Sequence, residues 1–285
     1  GISTDEIDKI CYEYINDNKA YSAPLYYRGF PKSCCTSTNH VVCHGIPSDK
    51  ILKEGDIVNV DVTAYKDGWH GDTSRMFKIG EISIKAEKLI NATYDSMMKA
   101  INIVKDGIHL GDIGYTIQTF VEAKGFSVVQ DFCGHGVGQT FHKEPNVLHY
   151  GEKGTGAKLK EGMIFTMEPM INIGNFETKI LNEGWTAVTK DKSLSAQFEH
   201  TIGVTKDGWH GDTSRMFKVG NISIKAEKLI KSTYDSMMKA INIVKDGIHL
   251  GDIGSTIQKY VEANGFSVVQ DFCGHGIGQS FHKEP

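Results

Sequence analysis

The stretch IVNVDVTAYKDGWHGDTSRMF, Ile57 to Phe77, reads as two strands around a turn. In the first arm Val58, Val60 and Val62 alternate with Asn59, Asp61 and Thr63, a period of two that gives a strand one apolar face for the core and one polar face for chemistry. Lys66-Asp67-Gly68 supplies the turn, and Trp69 to Phe77 returns as the partner strand. A register that pairs Asp61 with Asp72 sets two carboxylates on one face of this hairpin, and like charges placed so close need a cation. Two solvated strand acids would look the same if the pair stood alone.

The rest of the chain reads as helices packed against hairpins. Ser3-Thr4-Asp5-Glu6 is a capping-box start, and Ile7, Ile10, Cys11, Tyr14 and Ile15 follow at helical spacing to about Asn18. Leu89, Ile90, Met97, Ile101 and Val104 mark an amphipathic helix over Ile84–Val104, and a second runs from about Asp112 to Lys124. Strands are expected at Val128–Phe132, Met163–Ile171, around Lys179–Val188 and at Gln197–Val204. Helices on one side of largely antiparallel strands make an α+β domain.

Three further stretches add to the acid pair. In DFCGHGVGQTFHKEP, Gly134, Gly136 and Gly138 let backbone crowd around His135, with His142 following. In FTMEPMI, Glu168 interrupts an apolar strand before Pro169, and in AQFEHTIGV Glu199 does the same; buried there, each charge needs a partner or a metal. Four carboxylates and an imidazole form a hard, oxygen-rich donor set suited to a pair of divalent ions.

In that order and spacing, VNVDVT, HGDTSR, GHGVGQTFHKEP, FTMEPM and QFEHT resemble the type I methionine aminopeptidases of the bacterial kind, metallopeptidases of the pita-bread (creatinase/aminopeptidase) fold. The likeness runs from Gly1 to about Gly208. It implies an antiparallel sheet of pseudo-twofold symmetry with helices on its outer face, and removal of N-terminal methionine from nascent polypeptides whose next residue is small. It implies that Asp61 chelates one metal, that Asp72 and Glu199 bridge two, and that His135 and Glu168 complete the other. Cobalt, manganese, iron or zinc fits such a site. By the same resemblance Glu168 shuttles a proton, His142 bonds the substrate carbonyl and His44 contacts the scissile nitrogen. Tyr27, Phe30, Cys35, Phe141 and Trp185 would surround the methionine side chain. Two other readings stay open: a catalytically inactive pita-bread fragment or binding protein, and an X-Pro aminopeptidase of the same fold.

Composition sets the surroundings. The 285 residues are 40% hydrophobic and 23% charged, with a net charge of −4 and scattered Lys and Arg, which argues against DNA or an anionic membrane as partner. No run approaches a membrane span, and Gly1–Glu6 lacks a signal pattern, so a cytoplasmic monomer working in the neighbourhood of the ribosome is expected. The six cysteines contain no CxxC pair and read as free thiols.

The hairpin's second arm occurs twice. Lys66–Pro145 aligns without a gap to Lys206–Pro285, with ten of 80 positions differing. Residues 1–205 are therefore expected to form the pita-bread domain, without the helix that family members carry before the position of Gly1, and 206–285 to be a partial duplicate. Trp209–Val219 is expected to close the last hairpin, and a helix over Ile224–Val244 to cover the core. The copy carries Asp212, His275 and His282 but no counterpart of Asp61, Glu168 or Glu199, too few ligands for a second metal pair.

Overall fold

In the computed structural model, which describes residues 1–206, 223–270 and 273–275, the chain divides into a first unit, Gly1–His210, and a second, Gly211–Pro285. Helix α1 (Thr4–Asp17) begins as its sequence demands: the Ser3 hydroxyl accepts from Glu6 N at 3.2 Å, and the Glu6 carboxylate accepts from Ser3 N at 2.7 Å. Short strands β1 (Tyr21–Ser22), β2 (Cys35–Thr38) and β3 (Val41–Cys43) lead to the long hairpin of β4 (Ile57–Lys66) and β5 (Trp69–Lys78). Lys66 pairs with Trp69, leaving Asp67 and Gly68 as a two-residue loop with φ of 50° and 89°. Both left-handed conformations match the twist of the flanking strands.

The hairpin register corrects the expected pairing. Asp61 lies opposite Ser74 and Thr63 opposite Asp72, so the two aspartates share a face as diagonal neighbours rather than as a direct pair. The faces differ from expectation too. Asn59 and Thr63, on the polar face, are each 2% exposed, whereas Val60 and Val62 are half-buried. The polar face is tied down by hydrogen bonds, Asn59 Nδ2 donating to Ser74 Oγ and Gln197 O and Thr63 Oγ1 to Asp72 Oδ1, which alternation alone does not reveal.

Helices α2 (Ile84–Ile101) and α3 (Leu110–Glu122) follow, then β6 (Ser127–Val128), β7 (Gly134–Gly136) and β8 (Lys143–Val147). The next four segments, β9 (Ile164–Met167), β10 (Met170–Asn172), β11 (Thr178–Ile180) and β12 (Ala187–Thr189), precede β13 (Ser195–Gln197) and β14 (Glu199–Gly203). One eight-stranded sheet has the order β1-β4-β5-β14-β9-β7-β8, with β2 also paired to β4; two three-stranded sheets are β13-β10-β6 and β11-β12-β3.

Two of the expected strands are each broken into two, with a physical reason. Met167 pairs with His200, and Met170 pairs with Gln197. One antiparallel register thus continues from β9/β14 into β13/β10 while the backbone leaves one sheet for another at Glu168-Pro169 and Phe198. Proline has no N–H for a ladder, so the break falls there. Glu168 and Glu199 therefore sit at strand ends on this bend, not inside strands. The other expected strands are shorter than read: Val128–Phe132 reduces to Ser127–Val128, and Lys179–Val188 is the β11/β12 hairpin.

Alternation divides β9 between two purposes. Phe165 and Met167 are fully buried in the core with Leu89, Met97, Ile113 and Ile117 of α2 and α3, while Thr166 and Glu168 point to the opposite side. The helices therefore cover one face of the sheet and leave the other for polar groups.

In the second unit, α4 (Ile224–Ile243) and α5 (Leu250–Ala263) repeat the α2–α3 pair, with Ser223 capping α4 as Ser83 caps α2. Ser232, Ser236, Ala240 and Val261 are buried, but Leu229 and Met237 are 46% and 43% exposed where Leu89 and Met97 are 0%. The helix expected at Ile224–Val244 forms. The expected strand Trp209–Val219, with Asp212 and His282, lies outside the described residues. No described helix is long and apolar enough to cross a membrane, and all six cysteines are free.

Candidate metal centre

Strand register builds the centre in two rows. Cys35 pairs with Asp61, Asp61 with Ser74, and Ser74 with Glu199, so these four side chains stand side by side across β2, β4, β5 and β14. One step on, Thr63 pairs with Asp72, and Thr201 pairs with Thr166. Asp72 N donates to Thr201 Oγ1 at 2.9 Å, and that hydroxyl donates back to Asp72 O at 2.9 Å, joining the second row across β5 and β14. Residues two apart on a strand share a face, so Asp61 with Thr63, Asp72 with Ser74, and Thr166 with Glu168 all look into one space.

His135 enters from β7. A Cβ on Gly134 would lie 2.2 Å from Thr166 O, and one on Gly136 would lie 2.2 Å from Glu144 O. Only glycine lets β7 slip between β8 and β9, and that fit aims the imidazole inward. His135 N donates to Thr166 Oγ1 at 2.9 Å, and Thr166 Oγ1 donates to Glu168 Oε1 at 2.7 Å. The ring nitrogen Nδ1 lies 3.1 Å from Gly136 O, leaving Nε2 as the inward atom, 3.7 Å from both Asp72 Oδ2 and Glu168 Oε1. A histidine whose other nitrogen is held by a carbonyl is oriented as metal-ligating histidines are.

The remaining supports were not legible as motifs. Thr63 Oγ1 donates to Asp72 Oδ1 at 2.7 Å, and Gln197 Nε2 donates to Glu168 Oε2 at 3.3 Å. Glu168 N donates to Nε2 of His149 at 3.2 Å, a histidine only 1% exposed. The threonines were within reach of the period-of-two rule, since Thr63 and Thr166 stand two residues from Asp61 and Glu168. No sequence signal marks His149 or Gln197.

Ligand atoms of Asp72, His135 and Glu199 lie within 4.8 Å of one another. Burial raises the Asp61, Glu168 and Glu199 carboxyls well above the usual carboxylate range, and the charges of neighbouring acids push them further. Asp72 is raised to about 7, burial outweighing hydrogen bonds from the Thr63 hydroxyl and the Thr73 N–H. Burial also depresses the His135 imidazole. Asp61 and Glu199 are close enough to share a hydrogen bond, while Asp61 Oδ1 is buried with no partner. Packed acids that burial and mutual repulsion keep from ionising are poised to ionise around a cation.

All twelve residues singled out in the sequence line one cleft of about 510 Å³. Its floor holds Asp61, Asp72, His135, Glu168 and Glu199. Phe30 meets Trp185 edge to face at 5.3 Å between centroids, and His44, held at φ 54°, faces Trp185 at 6.2 Å. Tyr27 packs on Phe141 at 4.8 Å, and its hydroxyl is 3.1 Å from His142 Nδ1. His142 packs against His135 with the rings tilted and their centroids 4.1 Å apart, and desolvation together with the charges of His135 and His44 holds its pKa below the ordinary value. Cys35 closes the wall at 6% exposure, its thiol held protonated by burial beside the acids.

A family model described as metallopeptidase family M24 matches residues 1–206 and again 202–285. The chain belongs to this metallopeptidase family. It is 59% identical over 210 residues to the methionine aminopeptidase of Rickettsia prowazekii, covering 73% of this chain and 81% of that protein. It is 57% identical over 210 residues to the methionine aminopeptidase of Escherichia coli K12, covering 73% and 80%. The crystal structure of the Rickettsia prowazekii enzyme superposes with a TM-score of 0.71, covering 72% of this chain and 83% of that one. As an M24 member the chain is a metal-dependent peptidase of the pita-bread fold, and the acid floor is where its fold concentrates metal-ligating groups.

Proposed function

We propose that this chain hydrolyses the first peptide bond of polypeptides that begin with methionine, releasing that residue, and that two divalent ions held by Asp61, Asp72, His135, Glu168 and Glu199 serve the reaction. The observation that carries this reading is the convergence of four acids and one imidazole beneath an aromatic pocket in a single cleft. The donor set fits: three carboxyls raised well above their usual range, a fourth raised to about 7, an orphaned Asp61 Oδ1 and a free His135 Nε2 match hard divalent ions of the manganese-to-zinc series. Asp61 would hold one ion, Asp72 and Glu199 both, and His135 with Glu168 the other. Bound there, such ions supply Lewis acidity, polarising the scissile carbonyl and acidifying a water.

The chain's own residues do the rest. Tyr27, Phe30, Cys35, Phe141 and Trp185 receive an unbranched thioether, whose sulfur favours aromatic edges. A methionine seated there brings its free α-amino group to the acid floor, which selects a chain end over an internal bond. Glu168, fixed by the Thr166 hydroxyl and the Gln197 amide, takes a proton and returns it to the leaving amine. With the Tyr27 hydroxyl donating to Nδ1, His142 presents Nε2–H to the substrate carbonyl and to the oxyanion that follows. His44 reaches the scissile nitrogen from the opposite wall.

The test is release of free methionine from a Met-Ala-Ser peptide by the purified full chain. Activity is expected to vanish with chelator, return with a divalent ion, and fall at least about a hundredfold in Glu168→Ala. A metal-loaded chain that leaves the peptide intact is the binding protein instead, and one that prefers X-Pro bonds is the alternative peptidase.

A further inference from the structure

Above the acid floor the mouth of the cleft carries cations. Arg28 lines it from a tight turn in which Tyr26 (φ 64°) and Arg28 (φ 48°) are both left-handed. Tyr26 N donates to Phe30 O at 2.8 Å and Phe30 N donates to Tyr27 O at 3.0 Å, closing the turn. Side chains with a Cβ adopt such conformations at a cost, and they persist where the surroundings hold them. The guanidinium lies over the Tyr27 ring, 5.3 Å from its centroid, and that ring stacks on His142 at 5.2 Å. Arg28 is thus fixed beside a group that faces the substrate, and its charge is among those that disfavour a proton on His142.

Lys143, next in sequence to His142, also lines the mouth. Neither cation is in an ion pair among the described residues. Two acids share the mouth: Asp131 accepts from the Thr178 hydroxyl at 2.5 Å, the Glu144 carboxylate accepts from Asn146 N at 3.2 Å, and neither is ion-paired with Arg28 or Lys143. The cleft therefore presents acids at its floor and, at its rim, two cations and two acids that are not paired with one another, with Arg28 held over Tyr27 at the side of His142.

This deepens the methionine aminopeptidase reading and rests on it. A substrate with its amino group on the floor and its methionine in the aromatic pocket leaves the cleft past His142 and Tyr27, where Arg28 stands. We propose that Arg28, with Lys143 in support, is a specificity-determining residue that favours an acidic side chain at the third residue of the substrate. The attraction acts between exposed charges, so it is modest and salt-sensitive.

The experiment compares kcat/KM for C-terminally amidated Met-Ala-Asp-Gly-Gly and Met-Ala-Lys-Gly-Gly, with Met-Ala-Ser-Gly-Gly as reference. Amidation removes the terminal carboxylate, which would otherwise satisfy the same cations. At low ionic strength the full chain is expected to prefer the Asp peptide by about two- to fivefold. The preference resides in KM and shrinks as salt is raised to about 0.5 M. Arg28→Gln brings the ratio toward one and Arg28→Lys restores it. A wild-type ratio of one, or an Arg28→Gln ratio equal to wild type, overturns the inference. Failure to cut the Ser peptide strikes the aminopeptidase reading instead, so the two failures are told apart.

Discussion

Replacing Asp72 with Asn in the metal-free chain is expected to stabilise the fold more at pH 8 than at pH 5. The Asp72 carboxyl ionises at 3.8 in an unfolded chain but only near 7 in the folded one, because it is buried. Between those values the folded state keeps a proton that the unfolded state has released, so this group's contribution to stability falls as pH rises from 3.8 and levels off above 7. From pH 5 to 7 the loss is about two pH units, or about 3 kcal/mol. Asn pays no such ionisation cost and still offers Oδ1 to the Thr63 hydroxyl, so the variant escapes the loss. The depressed histidines, His40, His44, His135, His142, His149 and His200, act in the reverse sense, losing stability as pH falls. Except for His135, whose Nε2 faces Asp72, they are common to both proteins and drop out of the comparison. Losing a like charge also relieves Asp61, Glu168 and Glu199, which adds in the same direction. The assay is urea unfolding in chelator, followed by tryptophan fluorescence at the two pH values. A variant-minus-wild-type difference that is unchanged, or larger at pH 5, refutes the claim that these acids are held together against their charge. Adding a divalent ion should turn the order around, since the wild type holds it and the variant holds it less well.

Other outcomes follow from the same geometry. Thr166→Val removes the hydroxyl that joins His135 N to Glu168 and should weaken divalent-metal affinity by about 10- to 100-fold in a competition titration. Gly134→Ala drives a methyl to 2.2 Å from Thr166 O, so a loss of at least about 2 kcal/mol in chemical unfolding is expected, with His135 displaced. Trp185→Ala opens the wall that Phe30 packs against and should raise KM for a methionine peptide about tenfold or more, with a smaller effect on kcat.

Much of the first unit was legible because its signals are local. The capping box at Ser3, the Asp67-Gly68 loop and the apolar stripe of α2 each fix their own element, and all three stand in the structure. The five residues at the floor were legible through motifs that place an acid where burial demands a partner. The register was harder: with Asp67-Gly68 as the loop and Lys66 opposite Trp69, Asp61 faces Ser74 and Asp72 faces Thr63, which makes the two aspartates diagonal. Hidden altogether was the change of sheet at Glu168-Pro169, because a bend that preserves one register leaves no break in the apolar pattern on either side. His149 was hidden for a related reason, since its burial comes from distant elements. In the second unit the same local signals rebuilt two helices, yet Leu229 and Met237 show that a helix recipe does not carry its covering surface with it.

The bend shared by β9/β10 and β13/β14 makes the chemistry intolerant of changes in chain length. One residue inserted between Met167 and Met170 would break the single register that runs from β9/β14 into β10/β13 and turn each side chain beyond it to the other side of its sheet. Drift in this lineage should therefore swap residue types along these strands and keep insertions and deletions out of the bend.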